Sequence, residues 1–263
     1  MTTTGVVAGG VLRDQRRSLL WWSLSVAAVS AMYTSFYPSI GATQFEVMLD
    51  AMPAFVQAMG FDAMTSAAGY INMTVFSLLG AILTLTCAIG AGARLIAGDE
   101  EAGVLELDLA APISRARIYA ERLAVLWLTV AALVLSITAM LLILSAVLDL
   151  GLAVANVAAA GTSLVVFAGA LGTLAFGVGA ASGRRAYGLG AASGLAVAAY
   201  LFSYIGPLID VPWMETVSPF AWYVGNDPLV NGFDWGGLSL LAALAASAAG
   251  AGWWGFRRRD LRV

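Results

Sequence analysis

The sequence contains no histidine and no lysine, and Cys87 is its one cysteine. A single cysteine cannot form a disulfide within the chain, and without histidine there is no His/Cys cluster of the kind that binds zinc. A phosphate-binding P-loop needs a lysine, so the chain has no standard ATPase motif. We therefore expect neither a metal enzyme nor an ATPase, and we expect Cys87 to be a small packing residue in an apolar stretch.

Charged residues are also scarce, at 11% of the chain, while hydrophobic residues make up 60%. About twenty consecutive apolar residues can cross a bilayer as a helix. Six stretches reach that length: residues 19–40, 72–97, 123–148, 154–181, 187–209 and 237–256. The first 18 residues contain no A-x-A cleavage site, so the first stretch is predicted to be a retained span and not a removed signal peptide. The sequence predicts an all-α, polytopic membrane protein with six transmembrane helices in one domain, residues 1–263.

The middle part of every predicted span lacks aspartate, glutamate and arginine, and Arg94 lies near the end of the second span. Proton-coupled transporters usually have titratable groups inside the membrane, because a proton relay needs them. The spans therefore argue against proton coupling. They also lack the paired acids that catalysis inside the membrane would use.

The positions of the arginines predict the orientation. All 13 basic residues are arginines, and a cytoplasmic N-terminus with six spans places every one of them on the cytoplasmic side. The outer segments then carry only acidic residues, which the net charge of −3 conceals. This distribution follows the positive-inside rule. Both termini are therefore predicted to be cytoplasmic, in a bacterial plasma membrane.

The N-terminal segment, residues 1–18, and the residues just after it combine arginine with tryptophan: Arg13, Arg16, Arg17, Trp21 and Trp22. Arginine attracts anionic lipid headgroups, and tryptophan prefers the membrane interface. We interpret this segment as an elbow helix that lies on the inner membrane surface in contact with lipids. The alternative is a frayed tail before the first span.

Two segments are predicted to form structure on the outer side. In residues 41–70, apolar residues recur at three- and four-residue spacing, which predicts an amphipathic helix on the outer interface, with a substrate exit gate as the alternative. In residues 210–236, Pro212, Pro219 and Pro228 would break the chain into short helical pieces. We expect this second segment to be re-entrant and to form a cap before the last span, with these candidate residues: Trp213, Pro219, Trp222, Tyr223 and Pro228.

The pentapeptide GAASG occurs twice, at residues 179–183 and 190–194. Each copy has small residues four positions apart, a spacing that lets transmembrane helices approach closely. We interpret both copies as packing elements of spans four and five.

Charge is concentrated in residues 98–123, which hold nine of the chain's 29 charged residues. Asp99 is predicted to cap the start of a short helix with Glu100 and Glu101 in its first turn, and Pro112 to end it. From Ser114 onward the chain would then climb into the third span. The alternatives are a solvated loop whose charges keep it in water, or a divalent-ion site at the three adjacent acids.

A pattern in this segment, E-E-x-G-x-L-E-x-x-L-x-x-P-x-S-R, is formed by Glu100, Glu101, Gly103, Leu105, Glu106, Leu109, Pro112, Ser114 and Arg115. It resembles the cytosolic loop of ABC-2-type permeases, the membrane subunits of one class of ABC exporters. The six-span layout, the basic elbow and the outer segment before the last span resemble that family as well. Residues 218–232, SPFAWYVGNDPLVNG, are similar to actinobacterial antibiotic-export permeases.

The resemblance implies that residues 98–117, including Asp99, form a coupling helix that docks on a separate ATPase subunit. ATP and magnesium would be held by that partner, so this chain would have no cofactor, no catalytic residue and no nucleic-acid ligand. The family also implies a dimer with a second permease subunit, identical or homologous. The expected substrate is a hydrophobic or amphiphilic compound, such as an antibiotic, a drug or a lipid, moved out of the cell.

Two other classes of function stay open at the level of sequence. One is a non-transporting membrane scaffold or sensor subunit, for which no ATPase partner is expected. The other is a lipid-modifying membrane enzyme, which would show activity as a purified chain without any ATPase. A neighbouring gene for an ATPase would favour the transporter over both.

Overall fold

The computed structural model describes residues 6–40, 64–104 and 113–259. In this part of the chain, six helices are long and apolar enough to cross a membrane, which confirms the predicted number. They are α1 (Val6–Ile40), α2 (Ala67–Glu101), α3 (Arg115–Val147), α4 (Val154–Ser182), α5 (Arg185–Leu208) and α9 (Trp235–Arg258). Three short helices lie between the last two: α6 (Pro212–Thr216), α7 (Pro219–Val224) and α8 (Asp227–Asn231).

Helix α4 is the centre of the bundle. It packs against α2, α3, α5 and α9, while α1 lies outside and packs mainly on α3. In the most apolar stretch of α4, 72% of the residues are buried, against 17% for α5. The buried core is accordingly made of residues from α2, α3 and α4 more than from the other helices.

The neighbouring helices approach α4 closely because α4 has glycine at the points of contact. A Cβ atom on Gly177 would lie 2.5 Å from the Ala248 carbonyl oxygen of α9, and one on Gly172 would lie 3.0 Å from the Ala88 carbonyl oxygen of α2. Gly169 makes room for the indole of Trp127 on α3, 2.6 Å from where its Cβ would be. Small residues let helix backbones come together in a membrane, where burial of apolar surface alone does not drive them together.

Helix α2 contains two wide, π-helical stretches, Asn72–Leu79 and Arg94–Gly98, one near each end. It continues through Glu101, beyond the predicted end at residue 97. Short π-helical insertions are rare and frequently lie at functional sites. Both of these stretches contact side chains from other elements, described below.

Helix α1 runs without a break from Val6 to Ile40. The described part of the predicted elbow, residues 6–18, is therefore continuous with the first span and is not a separate helix. Its position on a membrane surface stays a prediction. The predicted outer helix within residues 41–70 falls largely on residues 41–63, which lie outside the described part of the chain.

The three short helices each have a proline in the first turn: Pro212 in α6, Pro219 in α7 and Pro228 in α8. Proline suits this position because its missing N–H would have no partner there. The expectation that these prolines divide the segment into short helical pieces is confirmed. Re-entry of the segment into the membrane stays a prediction.

Candidate functional site

The bundle has two chemically different ends. The end at which α2, α4 and α9 finish and α3 and α5 begin is called here the arginine end, after the basic residues 115–122, 184–185 and 257–259. The opposite end, at which α6, α7 and α8 lie, is called the acidic end. The described members of the predicted coupling residues lie at the arginine end, and the predicted outer residues lie at the acidic end.

The three adjacent acids Asp99, Glu100 and Glu101, called here the acid cluster, form the last turn of α2. The expected N-cap at Asp99 is wrong, because the residues before it continue the same helix and Gly98 precedes it in helical conformation. Carboxylates at the carboxyl end of a helix are unfavourable toward the helix dipole. They therefore need cations or N–H donors from elsewhere in the chain.

The Asp99 carboxylate pairs with Arg122 of α3 at 2.6 Å. The Arg122 side chain is only 1% exposed, while that of Asp99 is 27% exposed. Arg122 also donates a hydrogen bond to the Leu95 carbonyl oxygen, in the second π-helical stretch of α2. One buried arginine thus links the wide turn and the acid cluster of α2 to α3.

The Glu100 carboxylate binds Arg259, just beyond α9, through both guanidinium Nη atoms, at 2.8 and 2.5 Å. The Arg259 side chain passes over Gly183, which ends α4 at φ = 68°. Any side chain on Gly183 would collide with the guanidinium. The Arg259 carbonyl oxygen accepts a hydrogen bond from Arg115 Nη1 at 3.0 Å, so Arg115 of α3 joins the same network.

The Glu101 carboxylate accepts a hydrogen bond from the backbone N–H of Arg185, the first residue of α5, at 2.9 Å. The three acids therefore reach three different elements: α3, the segment after α9, and α5. Carboxylates that diverge in this way do not share one ligand position. Among the residues that the structure describes, no cluster of histidine, cysteine or acidic residues is arranged to hold a metal ion.

Gly103 ends α2. It has φ = 69°, its N–H donates to the Glu100 carbonyl oxygen at 3.1 Å, and the Val104 N–H donates to the Asp99 carbonyl oxygen at 2.8 Å. This is a Schellman motif, in which glycine takes the left-handed conformation without strain. Residues 101–104 are exposed. The predicted coupling residues Leu105, Glu106, Leu109 and Pro112 lie outside the described residues.

Ser114 caps α3: its hydroxyl oxygen accepts from the Arg117 N–H at 3.4 Å. The expectation that the chain starts its climb into the third span at Ser114 is confirmed by the start of α3. Of the predicted elbow residues, Arg13, Arg16 and Arg17 are exposed, and Trp21 is 71% exposed. Trp22 is half-buried and lines a cavity described below.

At the acidic end, the predicted outer residues differ in burial. Tyr223 is 2% exposed and donates to the Phe76 carbonyl oxygen, in the first π-helical stretch of α2, at 2.9 Å. Pro219 and Pro228 are buried, whereas Trp213 is 58% exposed. Trp222 donates to the Thr216 carbonyl oxygen at 2.8 Å. The wide turns at both ends of α2 are thus contacted by side chains from other elements.

A second contact ties α8 to the start of the same π-helical stretch. The Asn72 amide donates to the Asp227 carboxylate at 2.9 Å. Partial burial raises the pKa of Asp227, and the hydrogen bond from Asn72 opposes part of that rise. Asp227 also has φ = 44°, a conformation that aspartate tolerates better than most residues.

An open cleft of about 420 Å³, called here the apolar cleft, lies between α2 and α5. Its walls are mostly aliphatic, with Tyr200 and Phe220 as the aromatic residues and Ser77, Thr86 and Ser193 as the hydroxyl-bearing ones. Sequence reasoning did not identify these residues. A weak signal was available: serine and threonine inside otherwise apolar spans.

Toward the arginine end lies a smaller cavity of about 180 Å³, called here the polar cavity. It is bordered by α1, α2, α3 and α5, and Thr86 and Gly90 line both this cavity and the apolar cleft. Its lining includes Cys87 and Trp22, together with these charged and polar residues: Gln15, Ser18, Thr86, Arg94, Thr129 and Arg185.

Six apolar helices around a glycine-rich centre are typical of a multi-pass membrane protein, and here a cleft lies between two of them. A family model described as "Multidrug efflux system permease Rv1217c, C-terminal domain" matches residues 7–257. The match covers most of the chain, so the chain belongs to this family of efflux permeases. A search of curated proteins found no match. Membership of a permease family indicates a transporter and not an enzyme.

Proposed function

We propose that the chain is the permease subunit of an ATP-driven, ABC-2-type exporter that moves a hydrophobic or amphiphilic compound out across a bacterial plasma membrane. The observation that carries the proposal is the apolar cleft between α2 and α5, in a chain that belongs to an efflux-permease family. Its volume of about 420 Å³ lies within the roughly 300–1,000 Å³ typical of small-molecule sites. Its aliphatic and aromatic walls suit an apolar ligand.

The arginine end faces the cytoplasm in this proposal. Positive charge is retained on the cytoplasmic side of membrane proteins, and the paired arginines described above belong to this end. Exposed aromatic residues accompany them: Arg258 lies 4.1 Å from the ring centre of Trp254, and Arg184 lies 5.5 Å from that of Tyr187. Such amphipathic pairs suit a membrane interface.

Energy is supplied by separate ATPase subunits, which bind ATP and magnesium, because this chain has no lysine for a P-loop. They dock on residues 98–117. The exposed residues 101–104 directly follow the acid cluster, which is bonded to α3, to Arg259 and to α5. A push on this segment therefore reaches three elements through hydrogen bonds and ion pairs, which supports a rocking motion of the helices.

A second permease subunit, identical or homologous, covers the exposed face of α5. Tyr187, Val197, Leu201, Ile205 and Leu208 are each between 38% and 60% exposed. On the same face, Gly190 and Gly194 have open space where a Cβ would be. A small-xxx-small pair beside an apolar stripe suits close helix pairing. Pairing here would also close the open side of the apolar cleft.

The test fills the cleft without changing charge. Ser193 lies in the cleft on α5 and is exposed, so Ser193→Trp should fold, retain the ATPase subunit and lose most ATP-dependent export of the neutral dye Nile red from cells. Ser247→Trp makes the same substitution at an exposed site on α9 and should export normally. Wild-type export by Ser193→Trp, at equal expression, would contradict the cleft as the transport route.

A further inference from the structure

The polar cavity brings together two arginines from helices that are far apart in the chain. Arg94 belongs to the second π-helical stretch of α2, and Arg185 is the first residue of α5. Their stems converge at Gly98: a Cβ there would lie 3.0 Å from Arg94 Cγ and 3.6 Å from Arg185 Cδ. Four neutral polar side chains, from Gln15, Ser18, Thr86 and Thr129, complete the polar lining.

No carboxylate is among the described side chains that line the cavity. Nearby acids in the described part of the chain are engaged elsewhere: Asp99 with Arg122, Glu100 with Arg259, and Glu121 with Arg117. Glu101 accepts from the backbone of Arg185, not from its guanidinium. The described residues therefore provide no ion-pair partner for Arg94 or for the Arg185 side chain, and the described lining carries two positive charges.

The polar cavity adjoins the apolar cleft, because Thr86 and Gly90 of α2 line both. Gly90 has nothing within 4 Å of where its Cβ would lie, so no side chain separates the two spaces at that point. A ligand that occupied both would have its head beside two guanidinium groups and its apolar body between α2 and α5.

We propose that this joined site binds an amphiphile with an anionic headgroup: a phosphate, sulfate or carboxylate on an apolar chain. This inference rests on the proposed function, since it assigns the substrate class of the same cleft. Guanidinium groups form charge-assisted, often bidentate hydrogen bonds with such anions, and they repel a cationic head. The anion could belong to a membrane phospholipid or to a transported compound, and the experiment distinguishes these sources.

Cys87 lines the polar cavity and is the one cysteine in the chain, so its reaction with N-ethylmaleimide reports occupancy. The full chain, purified in a maltoside detergent, is titrated with dodecyl phosphate or with dodecyltrimethylammonium, which has the same tail and the opposite charge. Dodecyl phosphate should slow alkylation of Cys87 at lower concentration than the cation does. Removing each arginine should weaken this protection about tenfold, the usual loss for a hydrogen bond to a charged group.

Paired substitutions test whether the guanidinium groups of Arg94 and Arg185 are responsible for this protection. Arg94→Gln/Arg185→Gln should lose selective protection by dodecyl phosphate, and Arg94→Lys/Arg185→Lys should keep part of it. Arg257→Gln/Arg258→Gln removes the same charge from exposed arginines outside the cavity lining and should behave as wild type. In phosphatidylcholine vesicles, protection by added phosphatidylglycerol identifies a membrane lipid as the ligand. Protection by dodecyl phosphate alone identifies a smaller amphiphile; either result supports an anion site.

Equal protection by both amphiphiles, unchanged in Arg94→Gln/Arg185→Gln, would overturn the anion site and leave the apolar cleft as a route for neutral or cationic compounds. Protection by neither amphiphile would overturn the anion site and also remove the evidence that this cleft accepts an amphiphile. The export assay with Ser193→Trp remains a separate test of the transport route.

Discussion

Helices α4 and α5 carry the same pentapeptide, GAASG, but differ in what surrounds it. In α4, Gly179 lies against Ala93 and Ala97 of α2, and the helix is largely buried. In α5, Gly190 and Gly194 have no neighbour within 4 Å, and the helix is largely exposed. The pattern of small residues permits close packing in both helices, and the position of each helix in the bundle decides whether a neighbour is present within the chain.

The same comparison predicts that α4 is a fixed helix and that α5 is a movable one. Backbone contacts hold α4 against α2 and α9, so α4 cannot shift without displacing both neighbours. Helix α5 borders an open cleft, and at the arginine end Glu101 accepts a hydrogen bond from its first residue. We expect substitutions in α4 to affect folding, and substitutions on the exposed face of α5 to affect association or transport.

The largest effect is expected at Gly177 of α4. A Cβ there would lie 2.5 Å from the Ala248 carbonyl oxygen and 3.4 Å from Gly252 Cα, so Gly177→Leu forces α4 and α9 apart. The cost should exceed about 3 kcal/mol, enough to remove most folded protein. Gly190→Leu on α5 is the matched control and should leave stability unchanged. Yield and thermal midpoint of the purified chain give the result, and equal midpoints for the two variants would contradict the assignment of α4 as the fixed centre.

The second-largest effect is expected at the ion pair between Asp99 of α2 and Arg122 of α3. Arg122→Met leaves Asp99 without its buried cation and should destabilise the chain by about 3 kcal/mol, at the low end for breaking a buried pair, because Asp99 is partly exposed. For a chain of this size that lowers the thermal midpoint by roughly 6–12 °C. Arg117→Met, which removes the more exposed pair with Glu121, should cost at most about 1 kcal/mol. A smaller shift for Arg122→Met than for Arg117→Met would be inconsistent with an internal role for the acid cluster.

A smaller effect, on association alone, is expected on the exposed face of α5. Gly190→Leu/Gly194→Leu meets open space in the isolated chain, so the thermal midpoint should hold. Larger side chains would keep the α5 helix of a second permease at a distance and weaken pairing by about 1–2 kcal/mol, roughly tenfold. Copurification of an untagged copy with a tagged one measures this. Unchanged copurification would exclude the glycine face as the contact.

Local sequence patterns predicted the features of the fold that depend on residues close together in the chain. Six apolar runs gave the six helices, Ser114 marked the start of α3, and the three prolines marked the starts of α6, α7 and α8. Each of these features follows from residues within a few positions of one another. Capping, proline geometry and apolar length are properties of that kind.

Long-range contacts explain what the sequence did not predict. The acids at residues 99–101 suit the start of a helix, yet they end α2, because Arg122 and Arg259 lie 23 and 159 residues away from their partners and supply the positive charge. The apolar cleft likewise requires knowing that α2 and α5 are neighbours. Neither the pairing of these helices nor the convergence of Arg94 and Arg185 is encoded in the spacing of residues along the chain.

The smallest effect is expected where Glu101 holds the start of α5. Its carboxylate accepts the Arg185 N–H at 2.9 Å and places negative charge at a helix N-terminus, which is favourable. Because Glu101 is exposed, Glu101→Ala should cost only about 1 kcal/mol, visible as roughly fivefold faster hydrogen exchange of the first amides of α5. Exchange in α4 should not change. Glu101→Gln keeps an acceptor oxygen without the charge and should give an intermediate rate. If the α5 amides exchange at the wild-type rate in Glu101→Ala, then α5 is fixed by its packing like α4, and the distinction between a fixed and a movable helix fails at this end of the bundle.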